Sequence, residues 1–418
     1  MTDFIESTPR LRRRHAAESR FRWAGRIAIF ISLGFLAVMT VSIGWTAVGA
    51  LTQTHIALDV DLGPQAVDPA KAESMRFGKI VKKALRDRFP DVKKRKDKRK
   101  LYGLLSPDAA FELKRQILAN RELLGGTRKI WFTSSDTANI YAKGTLTTAA
   151  VKDTRQFGAE QAGWIDALEA DGNVEQRFNT RFFTSGDSRE PELAGILSAL
   201  VGSMLSLAVC FALSFPIGIF AAIYLEEFAP KNRISELIEI NINNLAAVPS
   251  IVFGLLGLAI FLNVFGLPRS SPLVGGMVLS LMTLPTIIIA SRACLRGVPP
   301  SIREAALAMG ASPIQATFHH VAPLALPGMF TGAIVGMARA LGDTAPLLMI
   351  GMVAFIVDIP KSLLEPATAL PVQIFLWADS PERAFLEKTS AAIIVLLVFL
   401  VAMNLAAIIL RKKFEIRF

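Results

Sequence analysis

Six apolar runs set the terms for this chain: Ile27–Leu51, Leu193–Tyr224, Leu245–Leu267, Leu273–Ala290, Met329–Val357 and Ala391–Leu410. Each is at least ~18 residues long, and a helix rising ~1.5 Å per residue needs about that length to cross ~30 Å of hydrocarbon. With 52% hydrophobic residues in 418, the chain is too apolar for an ordinary soluble domain. The expected fold is an all-α polytopic membrane protein with about six transmembrane helices, one per run.

The first run follows Arg12, Arg13 and Arg14 and precedes small residues at Ala47–Ala50, the outline of a secretory signal. Its apolar core exceeds the ~7–15 residues of a cleavable segment, so it reads as an uncleaved anchor. Cys210 and Cys294 lie in or beside apolar runs and offer neither a disulfide framework nor metal-ligand spacing. His15, His55, His319 and His320 are scattered and form no ligand set, so no metal or cofactor is expected. Lysine and arginine outnumber acids 46 to 35. Two basic clusters, the N-terminal arm (Arg10 to Arg26) and the tail (Arg411, Lys412, Lys413, Arg417), flank spans, where cytoplasmic orientation puts them. Membrane lipid, not nucleic acid, is the implied partner.

Three blocks follow. Residues 1–51 hold the basic arm and first span, 52–192 are polar with no spanning run, and 193–418 hold five spans joined by short loops. The middle block reads as a small inserted α/β domain. Asp68–Arg88 has helical apolar spacing, and Ser106-Pro107-Asp108 opens a helix that Gly125-Gly126 closes. Lys129–Phe132 and Asn139–Ala142 read as short strands, Gln161–Ala170 as a helix, and Lys93–Lys100 as a solvated basic loop. With a cytoplasmic N-terminus, parity puts 52–192 outside and both residues 291–326 and the basic tail in the cytoplasm. The basic excess of the middle block does not oppose this, because long domains cross largely regardless of charge.

From Arg303 the loop between the fourth and fifth runs reads R-E-A-A-L-A-M-G-A-S-P-I-Q-A-T-F-H-H-V-A-P. Good helix formers end at Gly310, which tolerates positive φ, and Ser312-Pro313 restarts a helix. Two helices set at an angle make a knob that a soluble partner can grip; the bland alternative is an amphipathic loop. No G-x-x-x-x-G-K-[ST] run is present, so a nucleotide-driven motor would be another polypeptide.

The fifth run carries Gly328, Gly332, Gly336 and Ala340 every fourth residue, a ridge for close helix approach. Arg339 and Asp343 sit within ~60° of Gly336 on a helical wheel and are expected to face protein or a cavity. A central charge in lipid costs roughly 2.5–3.5 kcal/mol, so such residues are usually paired, functional or both. As i and i+4 the two can reach each other, and a structural pair and an anion pathway both fit. Pro346 is expected to kink or break the span just beyond. Thr283-Leu284-Pro285-Thr286 in the fourth run carries a similar irregularity.

Glu304-Ala305-Ala306, Gly310 and Pro323 resemble the EAA loop of importers driven by ATP-binding-cassette motors, although His320-Val321-Ala322-Pro323 departs from the usual I-x-L-P closure. Met337–Leu348 (M-A-R-A-L-G-D-T-A-P-L-L) resembles the R-A-x-G-E-T-A-P-L-L segment of phosphate-specific permeases, with Asp343 in place of glutamate. Asn244–Gly254 (N-L-A-A-V-P-S-I-V-F-G) is similar to that family's entry to its third span. The resemblance is close over 193–418 and points to the A-type permease subunit of a phosphate importer, in a long-insert subtype.

The resemblance implies a type I importer permease fold in a bacterial inner membrane, with both termini cytoplasmic. Its implied partners are a second, C-type permease subunit, two ATP-binding-cassette ATPase subunits that carry out the hydrolysis, and an extracytoplasmic phosphate-binding protein. It implies no catalytic residue in this chain. Arg339, Asp343, Thr344, Asn244 and Ser250 become pathway residues, with a capped helix start after Pro249 an equal reading of Asn244 and Ser250; Glu304, Ala305, Ala306, Gly310 and Pro323 become coupling residues. Permeases for sulfate, molybdate or phosphonate share the loop, so only the R-A-x-G-[ED]-T-A-P segment argues for phosphate. A membrane-anchored sensor, with 52–192 binding the ligand, is the rival of another class.

Overall fold

The computed structural model describes residues 9–63, 77–144, 157–353 and 355–414. Part of the helix expected over Asp68–Arg88 and the tail residue Arg417 lie outside these. α1 (Pro9–Ala50) starts at a proline, whose fixed φ suits a first helical turn, and carries the arginine arm unbroken into the first apolar run. Phe30, Phe35 and Val41 on it are exposed, a surface suited to lipid rather than water.

Only Leu51 separates α1 from β1 (Thr52–Asp61), the central strand of an antiparallel sheet of order β2-β1-β3. β2 (Thr127–Thr133) and β3 (Val174–Phe178) flank it, so Ile56 pairs with Phe132 on one side and Val174 on the other. α2 (Phe77–Arg88), α3 (Arg95–Tyr102), α4 (Ala109–Ala119), α5 (Asp136–Ala142), α6 (Ala159–Ala170) and α7 (Thr180–Thr184) complete this part. Leu85, Leu113, Ile117, Ile165 and Leu168 from the helices share one core with Ile56, Leu58 and Val60 of β1. Burial of such side chains stabilises by roughly 1.5–3 kcal/mol each.

Three local expectations need correction. The helix opened by Ser106-Pro107-Asp108 ends at Ala119, capped by Asn120, and does not reach Gly125-Gly126. Asn139–Ala142 is the end of helix α5, not a strand. Ser135 precedes α5 in extended conformation, and the Asn139 side chain accepts a hydrogen bond from the Thr54 amide at 2.9 Å, docking the helix on β1. Lys93–Lys100 runs into the largely exposed helix α3, anchored by buried Leu101 and by Lys100 paired with Glu160 at 2.7 Å.

The remaining chain is helical. α8 (Leu197–Ile223) widens into a π-helical turn at Tyr224–Phe228 and is followed by α9 (Arg233–Ala246). α10 (Ser250–Gly257) also continues as a π stretch, Leu258–Val264. α11 (Pro272–Arg296), α12 (Pro300–Ala308) and α13 (Pro313–Ala316) come next. α14 (Ala322–Gly342), α15 (Ala345–Met349), α16 (Leu370–Ala378) and α17 (Ala384–Phe414) close the described chain.

Among the described residues five helices are long and apolar enough to cross a membrane, or six if the α9–α10 pair, bent by 101°, counts as one span. The third expected span, Leu245–Leu267, is therefore the second arm of a bent pair rather than a span of its own. Pro249 interrupts it, because a proline has no N–H to donate to the carbonyl four residues back and so cannot continue α9; it stands instead as the N-cap of α10. The fifth span stops at Gly342 rather than Val357, and α16 was not expected.

α11 packs along both α8 and α14, and α1 along α17. The glycine ridge of α14 faces α11. A β-carbon on Gly328 would lie 2.4 Å from Cys294 Sγ, and one on Gly332 would lie 2.4 Å from Ala290 Cβ. These two glycines set how closely the helices approach, whereas one on Gly336 would meet Ile287 and Thr283 at an ordinary 3.7 Å.

Candidate functional site

The loop after α11 has the geometry its residues imply. Pro299 and Pro300 start α12, which ends in a Schellman turn: the Ala311 amide donates to Ala306 O (3.1 Å) and the Gly310 amide to Leu307 O (3.0 Å). Gly310 sits at φ 88°, where a side chain is strained. Ser312 then caps α13 in a reciprocal box with Gln315, at 3.3 and 2.9 Å.

Glu304 and Ala305 are exposed on α12, while Ala306 is buried. Leu307, Met309, Ile314 and Phe318 are exposed beside them, with Met309 at 89%. This apolar set was not singled out from sequence, although its unbroken mixture of apolar and small residues could have shown it.

Pro323 does not close a separate second helix. Pro313–Gly342 runs as one 30-residue helical unit through a π stretch, Thr317–Val321, in which the Ala322 amide donates to Thr317 O. Pro323 has no N–H for the regular ladder, and the widened turn before it absorbs the defect. His319 and His320 lie exposed on that stretch.

The pathway residues are regrouped by the break in α14. Asp343 leaves the helix with φ −88° and ψ 114°, so the expected i, i+4 pair with Arg339 does not form. Asp343 instead accepts a hydrogen bond from the Ser250 hydroxyl at 3.1 Å. Two sequence candidates 93 residues apart thus meet where α10 begins and α14 ends.

Arg339 is exposed on this chain and makes no ion pair among the described residues. Thr344 is half-buried and its carbonyl accepts from the Leu348 amide. Asn244 is exposed near the end of α9, and the structure does not bring it into the Ser250–Asp343 contact. Thr283 is buried, its hydroxyl bonded back to the Leu279 and Ser280 carbonyls and 3.5 Å from Cys210 Sγ on α8, a packing role between the two helices.

A second polar cluster joins the sheet-bearing part to the last helix, and no sequence motif announced it. Lys143 Nζ donates to Gly49 O at 2.6 Å and to Glu387 at 3.1 Å, tying α5 to α1 and α17. Lys388, buried in the first turns of α17, donates to Ala194 O at 2.5 Å. Asp187 accepts from Trp377 Nε1 at 3.0 Å. Beside them burial pushes the Glu192 carboxyl up to about 7 and the Asp187 carboxyl upward. No group of three or more His, Cys, Asp or Glu able to hold a metal exists among the described residues.

Apolar helices long enough to cross a membrane, a bent pair and a charged side chain at a helix break define a polytopic membrane protein whose class the relatives supply. Residues 214–417 match the family model of the binding-protein-dependent transport system inner membrane component, and residues 8–152 match a domain of unknown function, DUF3333. The chain is 32% identical over 218 residues to the phosphate transport system permease protein PstA 1 of Mycobacterium tuberculosis, covering 52% of this chain and 70% of that protein. It is 28% identical over 223 residues to PstA of Haemophilus influenzae (53% and 78% covered). To the probable ABC transporter permease YqgI of Bacillus subtilis it is 28% identical over 250 residues (56% and 84% covered). The methionine ABC transporter MetNI in an inward-facing form superposes on 53% of this chain and 94% of its own, with a TM-score of 0.40 and 17% identity. The chain belongs to the family of the phosphate transport system permease PstA.

Proposed function

We propose that this chain is the A-type transmembrane permease subunit of an ATP-driven importer of inorganic phosphate, working from a bacterial inner membrane with both termini in the cytoplasm. The observation that carries the reading is the Ser250–Asp343 contact. It joins the two segments that most resemble phosphate permeases, at a break in two helices where polar groups at membrane depth have a use.

The unpaired Arg339 guanidinium would meet the anion. Asp343, held by Ser250, would keep net attraction low enough for release. The translocation path would form with a C-type permease subunit, and two ATPase subunits, where hydrolysis occurs, would grip the exposed Glu304, Ala305 and Gly310, with buried Ala306 seating the helix on its own chain. An extracytoplasmic phosphate-binding protein would deliver the substrate, with residues 52–192 as an extracytoplasmic domain beside it and 193–418 as the permease core.

The test is uptake of labelled phosphate at low external concentration in cells with and without this chain, other phosphate importers being silenced. Loss on deletion, with no competition from added excess sulfate or molybdate, supports the reading. Unchanged phosphate uptake, or full competition by another oxyanion, overturns it.

A further inference from the structure

The coupling helix is bolted to the bundle by one arginine. Arg303, the residue before Glu304, places Nε 3.1 and 2.9 Å from the two carboxylate oxygens of Glu227, and one terminal nitrogen 2.5 Å from Glu227 Oε1. Its terminal nitrogens also donate to Val298 O and Leu295 O, both at 3.0 Å, at the end of α11. Glu227 is nearly buried, with 8% of its side chain exposed. A planar guanidinium held on two sides is a stiff joint, unlike a lysine in the same place.

The neighbouring acid serves another helix. Glu226 and Glu227 are consecutive on the π turn that ends α8, so their side chains leave it in different directions. Glu226 takes Arg292 at 3.3 Å and Arg296 at 2.9 Å from α11. The same two arginines reach Glu239 on α9, at 2.9 and 3.6 Å. α9 buries none of its residues, so these charges are prominent among its attachments to α11. A groove of about 540 Å3 lies beside them, lined by Lys231, Ser235 and Glu236 among others. Beyond α9 the chain turns at Pro249 into Ser250 and its bond to Asp343.

We infer that Glu226, Glu227, Glu239, Arg292, Arg296 and Arg303 form a lever passing displacement of the coupling helix α12 to α9, and so to the Ser250–Asp343 contact. They are positioning residues: none touches the transported anion. This rests on the transport reading above and adds how the motor is geared to the path. Arg303–Glu227 fixes α12 to α8 and α11, and the Arg292/Arg296–Glu239 pairs hand the motion on to α9.

The test uses the full complex in proteoliposomes, with phosphate uptake and ATP hydrolysis measured together. Arg303→Ala and Glu239→Gln should each lower phosphate moved per ATP by about tenfold while the ATPase subunits still co-purify and hydrolyse. Glu236→Gln, exposed on the same α9, should leave the ratio unchanged. If Arg303→Ala fails to assemble, Glu239→Gln decides, since its side chain is 39% exposed on a helix with no buried core. An unchanged ratio in Glu239→Gln, or uptake and hydrolysis falling together, overturns the lever. A wild-type complex with no ATP-driven phosphate uptake overturns the transport reading itself, and that result is separable because it needs no variant.

Discussion

The Ser250 hydroxyl donates to Asp343 Oδ1 at 3.1 Å, joining the first residue of α10 to the first residue past α14. Both are places where the helical ladder has run out. The carboxylate lies beside the N-terminus of α10, where the helix field favours negative charge. In the proposed pathway, an anion arriving near Arg339 would meet one acid already satisfied and a guanidinium with no ion pair among the described residues.

Ser250→Ala removes a hydrogen bond to a charged acceptor, worth roughly 1.5–3 kcal/mol. Phosphate uptake should fall, with the ATPase subunits still bound. Asp343→Glu, which keeps the charge and adds reach, should retain more uptake than Asp343→Asn. Equal activity in the two Asp343 variants would remove the carboxylate charge from the argument.

The glycine ridge separates packing from propensity. Gly332→Ala would drive a methyl into Ala290 and should destabilise by about 1–3 kcal/mol, the usual cost of overpacking. Gly336→Ala has space, and alanine favours helix over glycine by up to ~1 kcal/mol, so it should be neutral or stabilising. Thermal unfolding of purified variants reads the difference; matching midpoints would mean that the α11–α14 approach is looser than 2.4 Å implies.

Much of this architecture was legible in the apolar runs, because length against bilayer thickness is a strong constraint. Capping chemistry was legible too: Gly310 and Ser312 do what their types require. β1 was not, because its first half, Thr52-Gln53-Thr54-His55, is polar and follows a span almost directly. α5 looked like a strand because the tertiary bond from Thr54 to Asn139, which locks it, is invisible in sequence. The Arg339–Asp343 spacing assumed a helix that continues, and Gly342 ends it. The Arg303–Glu227 and Lys143–Glu387 pairs join residues tens to hundreds apart, and no local pattern marks such pairs.

Gly310 offers a test of the coupling loop by backbone alone. No atom lies within 4 Å of a β-carbon placed there, so any cost comes from φ 88°. Gly310→Val should weaken co-purification of the ATPase subunits far more than Gly310→Asn, since asparagine enters the left-handed region readily. Equal retention by both would show that the Schellman turn is not what the partner grips.

Glu192 should make stability depend on pH. It is 3% exposed, and its carboxyl oxygens have no well-formed hydrogen bond among the described residues. Burial therefore raises its pKa from 4.5 to about 7, with Asp136 and Glu190 pushing the same way. Below pH ~4.5 folded and unfolded chains both hold the proton, and the group costs nothing. As pH climbs, the unfolded carboxyl ionises first, so folded stability erodes until the folded group also ionises near pH 7. The loss is at most about 3 kcal/mol for this shift. Lys143, Lys388 and Glu387 line the same junction and Glu382 lies close by. Burial raises the Asp136, Asp187 and Glu382 carboxyls as well, so part of the slope belongs to them. Unfolding midpoints at pH 5 and pH 8 should differ less in Glu192→Gln than in the wild type, chiefly because the variant gains at pH 8. An identical pH 5 to pH 8 difference in both proteins would mean that Glu192 is hydrated in the membrane-embedded molecule and titrates like an ordinary carboxyl.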